Sequence, residues 1–284
     1  MSRAGLRDLA PLLAGSRYEV LPTKSIEESV LESVPREVTV TVTASPVKGL
    51  EPTLALACAL AGHGYNAVPH LSARLIGDRA HLADVVARLT QAGISDVFIP
   101  AGDADPPAGP FHSALDLLEA LNELGRPFAE VGVTGYPESH PIIEDDVTVQ
   151  AMWDKRRHAT YLVSNLCFDP GTLRSWIKRI RARGVTLPLY VGLAAPIERT
   201  KLLKMATKIG VAESSRFLAG HSGWFVKMGT PGAYDPDRLL ARVAGQLTAP
   251  GSNVAGFHIF TFNQLPATES WRQSRLPQPS RAAS

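Results

Sequence analysis

The chain has 284 residues, 45% of them hydrophobic and 20% charged, a balance that supports a full-sized core. With 29 basic and 27 acidic side chains its formal net charge is +2, so nothing in the balance calls for nucleic acid or an anionic membrane as partner. Two cysteines, Cys58 and Cys167, stand far apart and outside any C-x-x-C pair, which excludes a disulfide framework and reads as small buried hydrophobes in a reducing compartment.

In chain order, short β-rich runs alternate with helical patterns. Asp8 breaks the first apolar run too early for a signal-peptide core, and no window approaches about 18 uninterrupted apolar residues. A soluble, cytoplasmic chain is therefore expected. Tyr18 to Leu21 is the first strand candidate, and a helix follows from Ser25, with Glu28 completing a capping-box pattern. Glu37 to Thr43, EVTVTVT, is the clearest strand. Pro52 to Leu60 reads as helix with proline in its first turn.

Ala67 to Leu71 is a third strand. Asp78 caps a helix that runs to Gln91 and ends at Gly93. Asp96 to Pro100, Phe128 to Val133, Thr160 to Asn165, Leu187 to Leu193 and Val254 to Phe262 supply the remaining five strands. Between them lie helical patterns at Phe111 to Leu124, Val147 to Arg157, Thr172 to Arg183, Glu198 to Ile209, Glu213 to Leu218 and Pro236 to Leu247. After Asn263 the chain is rich in Pro, Ser, Gln and Arg and reads as a loose tail, anchored at most by Trp271.

Eight strands separated by helices, with no hairpin signal, imply parallel pairing, because each crossover needs a dozen or more residues. A closed (β/α)8 barrel and an open doubly wound sheet both satisfy that. The absence of G-x-G-x-x-G after the first strand disfavours the open dinucleotide-binding sheet. With no short repeat and no internal linker, the expected organisation is an N-terminal extension at 1–15, one catalytic α/β domain at 16–265 and a flexible tail at 266–284.

In a barrel the loops after the strands build the site. The polar residues there are Glu19 with Thr23 and Lys24, then Thr43 and Ser45, His70, Gly102-Asp103, the run Gly135 to His140, Asn165 with Asp169, and His258, Thr261 and Asn263. A carboxylate on a buried strand is costly when unpaired, so Glu19 is either an ion-pair member closing the barrel bottom or a general acid at a partly desolvated mouth. Gly102-Asp103 taken alone is a turn. No H-x-x-x-H or H-x-H spacing appears, so no metal is expected. No G-x-S-x-G elbow or phosphate-binding P-loop is present, and no strand lysine suggests a Schiff-base aldolase.

Taken together and in order, Tyr18-Glu19-Val20-Leu21-Pro22, Thr41-Val42-Thr43, Pro69-His70-Leu71, Gly102-Asp103 with Pro106-Pro107, Gly135 through Pro141, Asn165 through Asp169 and Gly256 through Asn263 resemble methylenetetrahydrofolate reductase. The resemblance runs from about residue 16 to 265. Its most specific pieces are Tyr-Pro-Glu-x-His-Pro and Phe-His-x-Phe-Thr-x-Asn. It implies a (β/α)8 TIM barrel that reduces 5,10-methylenetetrahydrofolate to 5-methyltetrahydrofolate, a step supplying methyl groups for methionine biosynthesis. NADH or NADPH would be the hydride donor.

It further implies that Glu19 protonates the folate as its imidazolidine ring opens and that Asp103 contacts the pterin. Asn165 stands where the family has a longer glutamine. His70, Tyr136 and His258 fall on the substrate side, and Thr43, Gly102 and His140 on the cofactor side.

The flavin-binding features depart from the family. Thr43-Ala44-Ser45-Pro46 stands for Thr-Tyr-Gly-Ala, and Ala101 for the arginine before Gly-Asp. Asp154-Lys155-Arg156-Arg157 keeps the basic run only loosely, and His158-Ala159-Thr160 replaces Asp-Ala-Gly-Ala. A flavin diphosphate needs an arginine and close backbone approach, so tight FAD binding is not expected. The partners expected are small molecules only, folate and nicotinamide, with a monomer compatible with everything read here. A non-catalytic folate- or flavin-binding barrel, and a flavin-dependent form of the same reductase, are the alternatives.

Overall fold

The computed structural model describes residues 8–137, 150, 152–198, 201–202 and 233–277. Ten strands are described: β1 Arg17–Val20, β2 Thr39–Val42, β3 Ala67–Pro69, β4 Asp96–Ile99, β5 Glu130–Gly135, β6 Tyr161–Ser164, β7 Leu189–Ala194, β8 Ile197–Glu198, β9 Ala233–Tyr234 and β10 Val254–Phe260. Eight form one sheet in the order β3-β2-β1-β10-β7-β6-β5-β4, every neighbouring pair parallel. The ends join through a parallel bridge between His70 and Phe98 and through the Leu71 amide, which donates to the Phe98 carbonyl at 2.8 Å. The fold is a closed (β/α)8 barrel. Strands β8 and β9 form a separate antiparallel pair that the sequence pattern did not show.

The helices are α1 Ala10–Ala14, α2 Ile26–Ser33, α3 Glu51–Gly62, α4 Arg79–Gln91, α5 Ala114–Glu123, α6 Pro170–Ala182, α7 Asp237–Leu247 and α8 Leu265–Gln273. Alternation along the strands divides the core into two layers. In EVTVTVT the valines Val38, Val40 and Val42 are fully buried and belong to the outer layer, together with helix residues such as Leu54, Leu60 and Leu89. The inward layer is a smaller cluster of Val68, Phe98, Tyr161 and Val163, with Tyr190 packed on it. Helices meet the barrel through stripes at helical spacing, such as Leu173, Trp176, Ile177 and Ile180 on α6. Gly132 leaves room inside the barrel for Tyr161: a methyl group there would lie 2.3 Å from the tyrosine ring.

Asp78 caps α4 by accepting from the His81 amide, as its position predicts. Ser25 makes no side-chain cap on α2, so the capping box expected with Glu28 does not form. A complete box forms instead at Ser113 with Asp116 on α5. The segment expected to be loose after Asn263 is helix α8 over Leu265–Gln273. It is held by buried Leu265, Thr268 and Trp271, and by Glu269, which accepts from Tyr18 at 2.5 Å and from Arg272 at 2.9 Å. The helical pattern at Glu213 to Leu218, most of that at Glu198 to Ile209 and the start of that at Val147 to Arg157 lie outside the described residues.

The barrel bottom is closed by a buried polar network. Arg17, first residue of β1, pairs with Asp96, first residue of β4, at 2.9 Å. Its guanidinium lies between the Tyr161 and Tyr190 rings, 4.1 and 4.2 Å from their centroids. Burial alone would lower the Arg17 pKa, but Tyr161, Asp96 and Tyr190 outweigh it and the guanidinium stays charged. The bottom-closing pair considered for Glu19 is thus made by Arg17 and Asp96 instead.

Candidate functional site

Because all barrel strands run parallel, their C-terminal ends open on one face. Glu19 is the penultimate residue of β1, Thr43 and His70 directly follow β2 and β3, and Tyr136 and Asn165 directly follow β5 and β6. Gly102 and Asp103 lie in the loop after β4. His258, the fifth residue of β10, sits deeper and is 1% exposed.

Three of these side chains converge. His258 Nε2 lies 2.9 Å from Glu19 Oε2, and donor atoms of Glu19, His70 and His258 all fall within 4.8 Å of one another. Phe98 and Phe260 pack on the two imidazoles, with centroids 4.7 Å from His70 and 5.0 Å from His258. Burial lowers the His70 pKa to about 4, against the opposing pull of the Glu19 charge, so its ring is neutral at pH 7. His70 Nε2 and His258 Nδ1 are buried and have no hydrogen-bond partner among the described residues.

The segment Phe257-His258-Ile259-Phe260-Thr261-Phe262-Asn263 acts as a brace for Glu19. The His258 ring meets its carboxylate. Thr261 Oγ1 donates to its carbonyl at 2.6 Å. Asn263 accepts from the Leu21 amide at 2.9 Å and donates to the Leu21 carbonyl at 3.0 Å. Phe262 and Asn263 adopt left-handed backbone, φ 49 and 59°, which turns the chain back across β1. Each polar residue of that run thus fixes the strand that carries the acid. The bracing roles of Thr261 and Asn263, and the rings of Phe98 and Phe260, were not read from the sequence. The signal available was the polar spacing of the run itself.

A second group lies at the same face. The Tyr136 phenol is pushed up by burial first and then by the negative charge of Asp103. Asp103 itself is exposed. Gly102 has φ +85°, and a methyl group on it would lie 2.8 Å from Ser72 Cβ, so this turn requires glycine. The Asn165 side chain folds onto its own turn, Oδ1 accepting from the Leu166 amide at 2.8 Å, which leaves its amide nitrogen without an acceptor among the described residues. Thr43 is tied by its backbone to the end of β1, its amide donating to the Val20 carbonyl at 3.0 Å. His140 lies outside the described residues.

A protein-family model described as methylenetetrahydrofolate reductase matches residues 23–216. The chain belongs to the methylenetetrahydrofolate reductase family. The family match includes Thr43, His70, Gly102, Asp103, Tyr136, His140 and Asn165, and stops short of Glu19 and His258 at either end. Methylenetetrahydrofolate reductase 2 of Saccharomyces cerevisiae is 29% identical over 102 residues, a match that spans 33% of this chain and only 17% of the yeast protein. The C-terminal domain of a putative chitinase from Desulfitobacterium hafniense DCB-2 superposes with a TM-score of 0.54 at 11% identity, covering 92% of this chain and 99% of that one. That likeness shows the barrel fold alone. Among the described residues no helix is long and apolar enough to cross a membrane.

Proposed function

We propose that this family member reduces 5,10-methylenetetrahydrofolate to 5-methyltetrahydrofolate with hydride from NADH or NADPH, with Glu19 as the general acid. The observation that carries the reading is the Glu19–His258 contact of 2.9 Å inside the barrel mouth, braced by Thr261 and Asn263.

His258 supplies an orientation for the acid. Its Nδ1 is buried with no acceptor among the described residues, so a proton there would be an unsatisfied donor. The tautomer that avoids this carries its proton on Nε2, which donates to Glu19 Oε2. The other carboxyl oxygen is left to hold the proton that goes to the folate nitrogen as the five-membered ring opens. The methylene carbon becomes an iminium and accepts hydride from the nicotinamide. Asp103, Tyr136 and the Asn165 amide are positioned on the pterin side of the same face in this reading, with His70 a neutral wall next to the acid.

The residues present do not fit a flavin diphosphate, and the reduction is read as direct transfer from nicotinamide to folate. Burial brings the Lys155 ammonium down to about 8, so the residue is turned into the protein interior. Arg156 lies 3.3 Å over the Trp153 ring and donates to the Trp153 carbonyl at 2.6 Å. Ala101 supplies no cation before Gly102.

Glu19→Gln keeps the shape and removes the proton. Folate-dependent NADH oxidation should fall by about 10²–10⁴ while folate binding persists. Unchanged turnover would move the acid elsewhere. The purified protein should lack a flavin spectrum, and activity that appears only on adding FAD would overturn direct transfer.

A further inference from the structure

We propose that Glu19, His70 and His258 form a three-donor site for a borderline divalent cation of the zinc class. The proposal goes beyond the reductase reading and does not depend on it. Local spacing gives no hint of such a site, because the three ligands come from the first strand, the turn after the third and the last strand, and only barrel closure brings them together.

Two observations carry it independently. The first is the donor set: two imidazoles and one carboxylate, with donor atoms within 4.8 Å of one another. Two histidines and a glutamate with one position left open are the ligands of catalytic zinc sites. The hard cations Mg²⁺ and Ca²⁺ take oxygen shells that these rings cannot offer.

The second is an orphaned ring nitrogen. His70 Nε2 is buried without a hydrogen-bond partner among the described residues, and His70 as a whole is 7% exposed. Leaving such a nitrogen unpaired costs free energy, and a cation between the two rings would relieve it.

Zinc–ligand bonds of about 2.0–2.1 Å put tetrahedral ligands roughly 3.3 Å apart, so the donors need to close by about 1.5 Å or less. Glu19 and His258 already stand at 2.9 Å, so that closure falls on the approach of His70. Charge does not oppose binding. The neighbouring inward residue on β1, Arg17, is already neutralised by Asp96. Ligation through His258 Nε2 moves the ring proton to Nδ1, which has no acceptor among the described residues, and a missing outer partner lowers affinity by about 10–100-fold relative to a fully supported site. The site is thus an exchangeable one. A cation there occupies the carboxylate that the reductase reading assigns to proton transfer, so it would act as a reversible inhibitor.

The test is binding, read without the reductase assay. The metal-free full chain is titrated with Co²⁺, following visible d–d absorption, and Zn²⁺ is then added in competition. One equivalent of Co²⁺ with a low-symmetry band, displaced by Zn²⁺, is expected. Binding should weaken at least tenfold in His70→Ala and in the isosteric Glu19→Gln, each checked for wild-type circular dichroism. His63→Ala is the control, since His63 and Glu27 form an exposed pair at 3.1 Å. Absence of saturable binding would overturn the site. So would binding lost in His63→Ala but kept in Glu19→Gln.

Discussion

Replacing Arg17 by methionine tests whether the barrel bottom is held as its geometry says. Arg17 and Asp96 side chains are only 9% and 4% exposed, and their 2.9 Å contact is flanked by the Tyr161 hydroxyl donating to Asp96 at 2.8 Å. Removing one partner of a buried ion pair typically costs about 3–5 kcal/mol, since the other charge is stranded. The variant also loses two stacked rings at 4.1 and 4.2 Å, contacts of about 1–2 kcal/mol each when desolvated. Tyr161 still solvates Asp96, which brings the expected loss back to about 4 kcal/mol. At roughly 2–4 °C per kcal/mol for a chain of this size, Tm should fall by about 8–16 °C.

Urea unfolding followed by circular dichroism reads the same quantity as a lower midpoint at unchanged m-value. Arg17→Met with Asp96→Leu replaces both charges by apolar groups and should recover most of the loss, because such exchanges are often neutral. A single variant within about 1 kcal/mol of the parent, or a double variant as unstable as the two singles summed, would refute the account.

Glu269 is held below the usual carboxylate range: burial pushes its pKa up, but hydrogen bonds from Arg272, Tyr18 and Gln273 more than offset this. Its stabilisation is therefore present at neutral pH and lost as pH falls through the depressed folded value. Glu269→Gln should cost about 1–3 kcal/mol at pH 7 and flatten the acid limb of a pH–stability curve. A steeper acid limb in the variant would contradict the sign. Gly102→Ala forces a side chain into left-handed backbone and onto Ser72, which should cost about 1–3 kcal/mol and raise the folate KM by displacing Asp103; an unchanged KM would separate Asp103 from the pterin. Asn263→Ala removes both bonds to Leu21 and should lower kcat more than it raises KM. Equal effects on each would leave Asn263 with a merely structural role.

The alternation of Val38, Val40 and Val42 with Thr39 and Thr41 made β2 readable, because a period of two separates a shell that meets helices from one that faces the barrel axis. Gly93 marked a helix end and adopts left-handed backbone, φ 77°, and Gly125 and Gly184 do the same just past α5 and α6, φ 83 and 79°. Strand limits slipped by one or two residues because apolar runs extend past the hydrogen-bonded ladder, as Leu187 and Leu21 do. Helix α8 was missed for a different reason. Two of its buried positions are Glu269 and Arg272, so the apolar stripe that signals a helix is interrupted where the charges pair internally. The Arg17–Asp96 contact joins residues 79 positions apart, with no local pattern to betray it.

The family match begins at residue 23 and ends at 216, yet the carboxylate–imidazole contact of the site joins Glu19 to His258, outside both limits. Barrel closure explains how the two belong to one centre. Strand β1 pairs with β2 on one side and with β10 on the other, and the register sets Glu19 beside Phe260 and Arg17 beside His258. The inward residues Arg17 and Glu19 of the first strand therefore lie beside His258 and Phe260 of the last. Arg17 closes the bottom layer with Asp96, and Glu19 reaches the mouth layer with His258. A one-residue slip of β10 against β1 would exchange the inward His258 for the apolar Phe257 or Ile259 and leave Glu19 a stranded charge. Thr261 and Asn263 bond to Glu19 and Leu21 immediately beyond the paired residues, where such a slip would have to begin. The bonds that pin the register of the closing strands are thus the same bonds that place Glu19.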